Sequence, residues 1–415
     1  MPARSRPALA LRLLLAVVVA VSWLTVPAQA AEPLATDAVG GVRVADDPSL
    51  GASAPVVAMP SGVLWTTDGR PLWERDPGAV RAMASTTKIM TALVALKHGD
   101  LDEEVVVSER AARVGEAGVA LAAGQRIPLR TLVEAVLVRS GNDAAFALAE
   151  HVAGSVEAFV DLMNEEAASL GLDDTHYANP HGLDEQGHHT SARDLAALSA
   201  VAMADERFAA IVTMPTVTVT GRSGPKTYEN SNKLLGSYDG ATGVKTGWTN
   251  RAGYCVVASA ERDDIGLIAV VLGGTSEDDR FVQARELLDW GFEHYVMTEV
   301  TSAEETAAIV PVSDYLDRTV AAVVSGTVAV PVFDYDGVVT SRVDVVQQME
   351  APVEAGQRMG TLVVTQGERL LAQVPIVAAE SVPEPEPLEA IGIWFTRLWR
   401  TVFGGELVAA PVPVM

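Results

Sequence analysis

Ser85 and Lys88 stand three residues apart at the start of a run, Ser85 to His98, that carries Ile89, Leu93 and Leu96 as an apolar stripe and is closed by Gly99. On a helix that spacing brings a hydroxyl and an amine into contact range on one face. A lysine partly stripped of water can lose its proton near neutral pH and activate the serine as a nucleophile. The spacing alone is common, and Ser223-Gly224-Pro225-Lys226 repeats it. There, glycine and proline break a helix rather than build one, so the pattern predicts that only the first pair meets. Two more short motifs follow in order, Ser140-Gly141-Asn142 and Lys245-Thr246-Gly247. Taken singly they are bland: the first would cap the apolar helical run behind it, and the second would be a strand-edge turn.

The three motifs in this order are the signature set of penicillin-binding proteins and class A β-lactamases. Tyr177-Ala178-Asn179-Pro180-His181-Gly182-Leu183-Asp184, Asp239-Gly240 ahead of Lys245, and Ala252-Gly253-Tyr254 behind it extend the likeness. Over most of residues 50 to 380 the chain resembles the serine D-Ala-D-Ala carboxypeptidases, the low-molecular-mass penicillin-binding proteins. The resemblance implies that Ser85 attacks a terminal D-Ala-D-Ala bond, forming an acyl-enzyme, with Lys88 as base. Ser140 would relay a proton to the leaving amine, and Asn142 would orient Lys88 and bind the substrate backbone. Lys245, Thr246 and Gly247 would hold the substrate end, and the backbone N–H groups of Ser85 and Trp248 would form the oxyanion hole. Peptidoglycan stem peptides and β-lactams are the implied partners.

The chain departs from the usual pattern of that family at one carboxylate contact, and it lacks a residue that the nearest enzymatic rival would carry. Several relatives carry an arginine just before the segment that here reads Asn230-Ser231-Asn232-Lys233-Leu234-Leu235, which makes Arg280 the candidate to help bind a carboxylate, against the alternative of a surface ion pair. A class A β-lactamase would add a glutamate that activates the deacylating water. Thr175-His176-Tyr177-Ala178-Asn179-Pro180 offers none.

The elements that must hold these groups read as an α/β catalytic domain over residues 49–298 with an antiparallel sheet. Val56–Met59 and Val63–Thr67 are expected as consecutive strands, Leu129–Val138 and Asn142–His151 as helices. Gly253–Ala260 and Ile265–Leu272 read as a hairpin over Glu261-Arg262-Asp263-Asp264, and Phe281–Tyr295 as a closing helix. Residues 299–380, with short β-branched runs broken by Gly, Pro and Asp, predict a small all-β domain of sandwich type that carries no catalytic constellation. A Pro/Glu linker follows at residues 381–388. Behind it Ile391, Trp394, Phe395, Leu398, Trp399 and Val402 share one helical face with Arg397 and Arg400 off it, which predicts an in-plane membrane helix over residues 389–403, too short and too charged to span. Residues 404–415 read as a tail.

At 415 residues, 49% of them hydrophobic, the chain can fill two or three domains. A net charge of −24 is wrong for nucleic acid, whose phosphates need a basic footprint. Arg4, Arg6 and Arg12 before the apolar run Leu13–Val21 and Ala28-Gln29-Ala30 read as an export signal over residues 1–30, followed by an extended leader at 31–48; the expected location is the outer face of the cytoplasmic membrane. Cys255, the sole cysteine, excludes an internal disulfide and reads as a buried structural thiol. His181, His188 and His189 near Asp184 lack a ligand spacing, so neither metal nor other cofactor is expected.

Overall fold

The structure, a computed structural model, describes residues 34–38, 54–404 and 412–414. The expected export signal lies outside them. Two compact units divide the chain, one of Asp47–Met297 with Pro331–Tyr335, the other of Thr298–Val330 and Asp336 onward together with the N-terminal strand Leu34–Ala38.

The first unit is built on strands β1 (Ser61–Thr66), β2 (Pro71–Arg75), β3 (Ala241–Thr249), β4 (Gly253–Arg262) and β5 (Ile265–Gly274), with helices α1 (Lys88–His98), α2 (Asn142–Ala153) and α3 (Glu277–His294) among those around them. The strands form one antiparallel sheet in the order β2-β1-β5-β4-β3. β4 and β5 are apolar almost without alternation because both faces of the sheet are covered. Val257, Ile268, Val270 and Leu272 belong to the core shared with α1 and α2. Val256, Ala258, Leu267, Ala269 and Val271 alternate with them and pack on Phe281, Ala284, Leu287 and Leu288 of α3. This is the two-residue period of a strand read on both sides. The β4–β5 turn carries positive φ at Asp263 and Asp264 (47° and 62°), the twist a tight antiparallel hairpin prefers.

Within this unit the structure departs from the sequence pattern at two places. Val56–Met59 is not a strand: the Ala58 and Met59 N–H groups donate to Oε1 of Gln283 in α3, and β1 pairs instead with β2 downstream. The helix expected over Leu129–Val138 is α-helical only to Glu134, then widens to π-helical over Ala135–Arg139 and stops at Ser140.

The second unit is all-β. Its seven-stranded antiparallel sheet runs Leu34–Ala38, Val339–Val345, Arg358–Gln366, Arg369–Ala378, Thr319–Val324, Thr306–Pro311, Val412–Pro413. Part of the stretch read as a leader is therefore an edge strand, registered Leu34 with Val345 to Ala38 with Ser341. Part of the tail pairs at the other edge, Val412 with Ile309. The linker is less free than its prolines suggest, since Val382 exchanges both backbone hydrogen bonds with Val353 and the Pro383 carbonyl accepts from Tyr315 Oη at 2.9 Å. Helix α4 (Pro387–Phe403) is not a body held off by a spacer either. Arg397 donates to the carbonyls of Ser313 and Tyr315, and Ile393 is buried.

Candidate active site

Ser85 sits in a 3-10 turn, Ala84–Thr87, that runs straight into α1. The run Ser85–His98 is thus a tight turn carrying the hydroxyl and an α-helix beginning at Lys88. Ala84, just before the nucleophile, has φ +49°, a left-handed conformation that costs a residue with a Cβ roughly 1–2 kcal/mol. Surrounding contacts hold it there: the Thr86 and Thr87 hydroxyls donate to the Met83 and Ala84 carbonyls at 2.6 and 2.8 Å.

Lys88 is wholly buried. Its Nζ donates to Ser85 Oγ at 3.0 Å, to Asn142 Oδ1 at 2.8 Å and to the His181 carbonyl. Burial, and next the positive charge of Lys245, hold its pKa well below that of a free lysine. Three acceptors satisfy an ammonium; a neutral amine keeps two donors and turns its lone pair toward the only neighbour with a proton to give, Ser85. Asn142 opens α2, and its Nδ2 donates to the Gly115 carbonyl at 3.2 Å, which fixes Oδ1 toward Lys88. Ser140 is the left-handed stop of the π-helical turn, φ 67° and ψ 34°. Its Oγ is buried and has no partner among the described residues, so its hydrogen-bonding capacity is open to a bound group.

β3 supplies the opposite wall. Lys245 is buried, donates to the Thr246 carbonyl at 3.1 Å, and has its pKa pulled to about 7 by burial and then by the charges of Arg280 and Arg139. Thr246 Oγ1 lies 2.7 Å from Ser231 Oγ. Gly247 is glycine for a steric reason: a Cβ there would stand 2.8 Å from the Ser85 nitrogen and 3.0 Å from Ala84 Cβ. The strand edge is therefore pressed against the nucleophile turn, and the next residue, Trp248, leaves its indole half exposed with Tyr254 5.9 Å away. Arg280 is buried, and both readings of it meet in the structure: it reaches the strand that carries Lys245 and it pairs with a surface acid. Nη1 donates to the carbonyls of Gly247 (3.0 Å) and Cys255 (3.3 Å), while Nη2 makes a long ion pair, 3.9 Å, with exposed Glu277.

The second Ser-x-x-Lys, Ser223 to Lys226, spans the turn of a β-hairpin, Thr216–Gly221 with Gly224–Glu229. It has no helix to join its ends. Cys255 is fully buried and its thiol is pushed up to about 11, mainly by burial.

Residues 52–276 match the model of peptidase S11, D-alanyl-D-alanine carboxypeptidase, and residues 295–384 match that of the penicillin-binding protein 5 C-terminal domain. The chain belongs to the peptidase S11 family. It is 31% identical over 331 residues to D-alanyl-D-alanine carboxypeptidase DacF of Bacillus subtilis, covering 78% of this chain and 85% of that one. To D-alanyl-D-alanine carboxypeptidase DacC of Escherichia coli it is 34% identical over 335 residues, 77% of this chain and 81% of the relative. The crystal structure of the D-alanyl-D-alanine carboxypeptidase DacD from Francisella tularensis superposes with a TM-score of 0.59 at 26% identity, over 82% of this chain and 99% of that one. The Streptomyces K15 DD-transpeptidase gives 0.56 at 31% identity, over 58% of this chain and 100% of that one. The chain is a D-alanyl-D-alanine carboxypeptidase.

Several groups of this S11 enzyme's site escape sequence reasoning. The His181 carbonyl on Lys88 is main chain and leaves no signature. His188 accepts from the Ala178 N–H at Nδ1 (3.0 Å), so Nε2 carries the proton toward Thr87 Oγ1 at 2.7 Å. Burial lowers its pKa to about 4 and keeps it neutral. Gly182, at φ +88°, lets the same loop close on the nucleophile turn, since a Cβ there would lie 2.0 Å from the Ala84 carbonyl oxygen. The histidines thus clamp the turn, and among the described residues no His, Cys, Asp and Glu cluster is arranged for a metal.

Proposed function

We propose that the enzyme trims peptidoglycan stem peptides with the following division of labour. Neutral Lys88 takes the Ser85 hydroxyl proton as Oγ adds to the carbonyl of the terminal D-Ala-D-Ala bond. The oxyanion is held by the N–H groups of Ser85 and Trp248, donors of a kind worth about 3–4 kcal/mol each to the barrier. As the C–N bond breaks, the proton passes through Ser140 to the nitrogen of the departing D-alanine. Water then attacks the Ser85 ester, Lys88 accepts its proton, and the proton returns to Ser85. Thr246, Lys245 and Arg280 supply hydroxyl and positive field to the substrate's terminal carboxylate, and Asn142 aligns both Lys88 and the substrate backbone. The observation that carries this reading is the buried Lys88 nitrogen between Ser85 Oγ, Asn142 Oδ1 and the His181 carbonyl.

The same reading puts the enzyme outside the cell against a membrane. No described helix is long and apolar enough to cross one, but α4 leaves Trp394, Phe395, Trp399, Val402 and Phe403 each more than half exposed, an apolar face fit to lie in a lipid interface.

Incubation with a labelled penicillin and with diacetyl-Lys-D-Ala-D-Ala tests the chemistry. One adduct, mapped to Ser85 and lost in Ser85→Ala, together with free D-alanine from the peptide, is expected. An adduct on Ser223, or labelling that survives in Ser85→Ala, would overturn the assignment, and acylation without release of D-alanine would mark a sensor rather than a peptidase.

A further inference from the structure

A cavity of about 280 Å³ lies beside the site and is lined by Val80, Arg81, Ala82, Gly187, His188, His189, Arg251 and Ala252. The fold builds it from three segments that also shape the catalytic centre. Residues 80–82 lead into the nucleophile turn, and Arg81 exchanges both backbone hydrogen bonds with Thr190 (2.8 and 2.9 Å), which sets the 187–189 loop alongside. Arg251 and Ala252 form the turn that follows β3. In a chain with 54 acidic and 30 basic residues, two arginines, Arg81 and Arg251, line this cavity, and among the described residues neither has a carboxylate within ion-pairing distance. Asp184 is the acid at this rim. Its carboxylate is taken up by Thr249 Oγ1 (2.8 Å) and the Arg251 N–H (3.4 Å). His188 is neutral and committed to Thr87 and Ala178, so the cations lining the cavity are Arg81 and Arg251, and the one negative charge of Asp184 at the rim is already engaged by Thr249 and the Arg251 N–H.

The direction of the substrate follows from the proposed mechanism, on which this inference rests. Its terminal carboxylate is at Thr246 and its scissile carbonyl one step on, between the nitrogens of Ser85 and Trp248. The acyl side of the peptide therefore continues along β3 past Thr249 toward Arg251. We infer that the cavity between Arg81 and Arg251 is a subsite for a carboxylate carried by the stem peptide just before D-Ala-D-Ala, which a guanidinium can bind through paired charge-assisted hydrogen bonds. That carboxylate has two sources, the side chain of the residue preceding the dipeptide or the free carboxyl of a γ-linked glutamate one residue earlier. At 280 Å³ the cavity is of side-chain size, at the lower edge of ligand pockets.

The test compares kcat/KM on pairs of substrates that differ only in one carboxylate against its amide. One pair is acetyl-diaminopimelyl-D-Ala-D-Ala, free or amidated on the side-chain carboxylate; the other is γ-D-glutamyl-(acetyl)Lys-D-Ala-D-Ala, free or amidated on the glutamate. The full-length enzyme should prefer the acid about tenfold or more in one of the two pairs, which names the source. Arg251→Gln, at an exposed position, and Arg81→Gln should collapse that acid-to-amide ratio toward one. No preference in either pair, an unchanged ratio in Arg251→Gln, or a loss falling equally on acid and amide would overturn the subsite. Penicillin labelling of Ser85, measured on the same preparations, separates this failure from failure of the catalytic assignment.

Discussion

At the scale of single residues, the site works by taking water away from two lysines and giving them different neighbours. Lys88 is surrounded by acceptors and stands against a hydroxyl, whereas Lys245 faces a carbonyl at 3.1 Å and two arginine charges. Since burial lowers the Lys88 pKa, its neutral form is reached at lower pH than a free lysine's. Acylation must therefore rise with pH, with a midpoint well below 10.5. Lys88→Arg keeps a proton on the base at every working pH and should cost about 10²–10⁴-fold in acylation rate, read with a fluorescent penicillin. An arginine variant acylating at close to the normal rate would leave the base unassigned. Gly247 sets a second limit. Gly247→Ala puts a methyl 2.8 Å from the Ser85 nitrogen, so strand or turn must move, and a displacement approaching 1 Å is enough to lose about 10²-fold in rate. The variant should stay folded by circular dichroism yet acylate slowly; normal acylation would mean that the edge of β3 does not gauge the nucleophile.

At the scale of elements, what sequence shows and what it hides can be told apart residue by residue. The run Ser85–His98 was legible because its apolar stripe and closing Gly99 are local, and β4 and β5 because β-branched residues crowd two runs around an acidic turn. Val56–Met59 misled because its composition is a strand's while its N–H groups are claimed by Gln283, 225 and 224 residues away. β2 was missed because Pro71, Glu74 and Arg75 mask a short edge strand. Ser140 shows the same limit within the site: its type and order were readable, but the π-helical turn that aims it was not, since no propensity separates Ala135–Arg139 from an ordinary helix. That geometry makes a prediction of its own. In the left-handed region alanine bears about 1–2 kcal/mol that glycine does not, against about 0.5–1 kcal/mol of extra chain entropy lost by glycine. Ser140→Ala and Ser140→Gly should both slow acyl transfer, while thermal melting ranks the glycine variant at least as stable as the alanine one. A glycine variant melting clearly lower would show that the conformation of Ser140 carries no strain.

At the scale of the whole molecule, charge and the α4 face pull in opposite directions. A chain of net charge −24 is repelled by an anionic membrane surface, and Arg397 is spent on the Ser313 and Tyr315 carbonyls rather than offered to lipid. Attachment must then come from burying Trp394, Phe395, Trp399, Val402 and Phe403, and salt should strengthen it: raising ionic strength from about 0.1 to 1 M shortens the screening length from about 10 to 3 Å and removes the repulsion while leaving apolar burial in place. Co-sedimentation with phosphatidylglycerol vesicles should therefore increase with salt, and Trp394→Ser with Trp399→Ser should abolish most of it while peptide hydrolysis in solution continues, because neither residue belongs to the unit that holds Ser85 and Lys88. Binding that salt weakens would mean that arginines carry the attachment. Loss of peptidase activity together with binding would mean that the helix serves the catalytic unit and not the membrane.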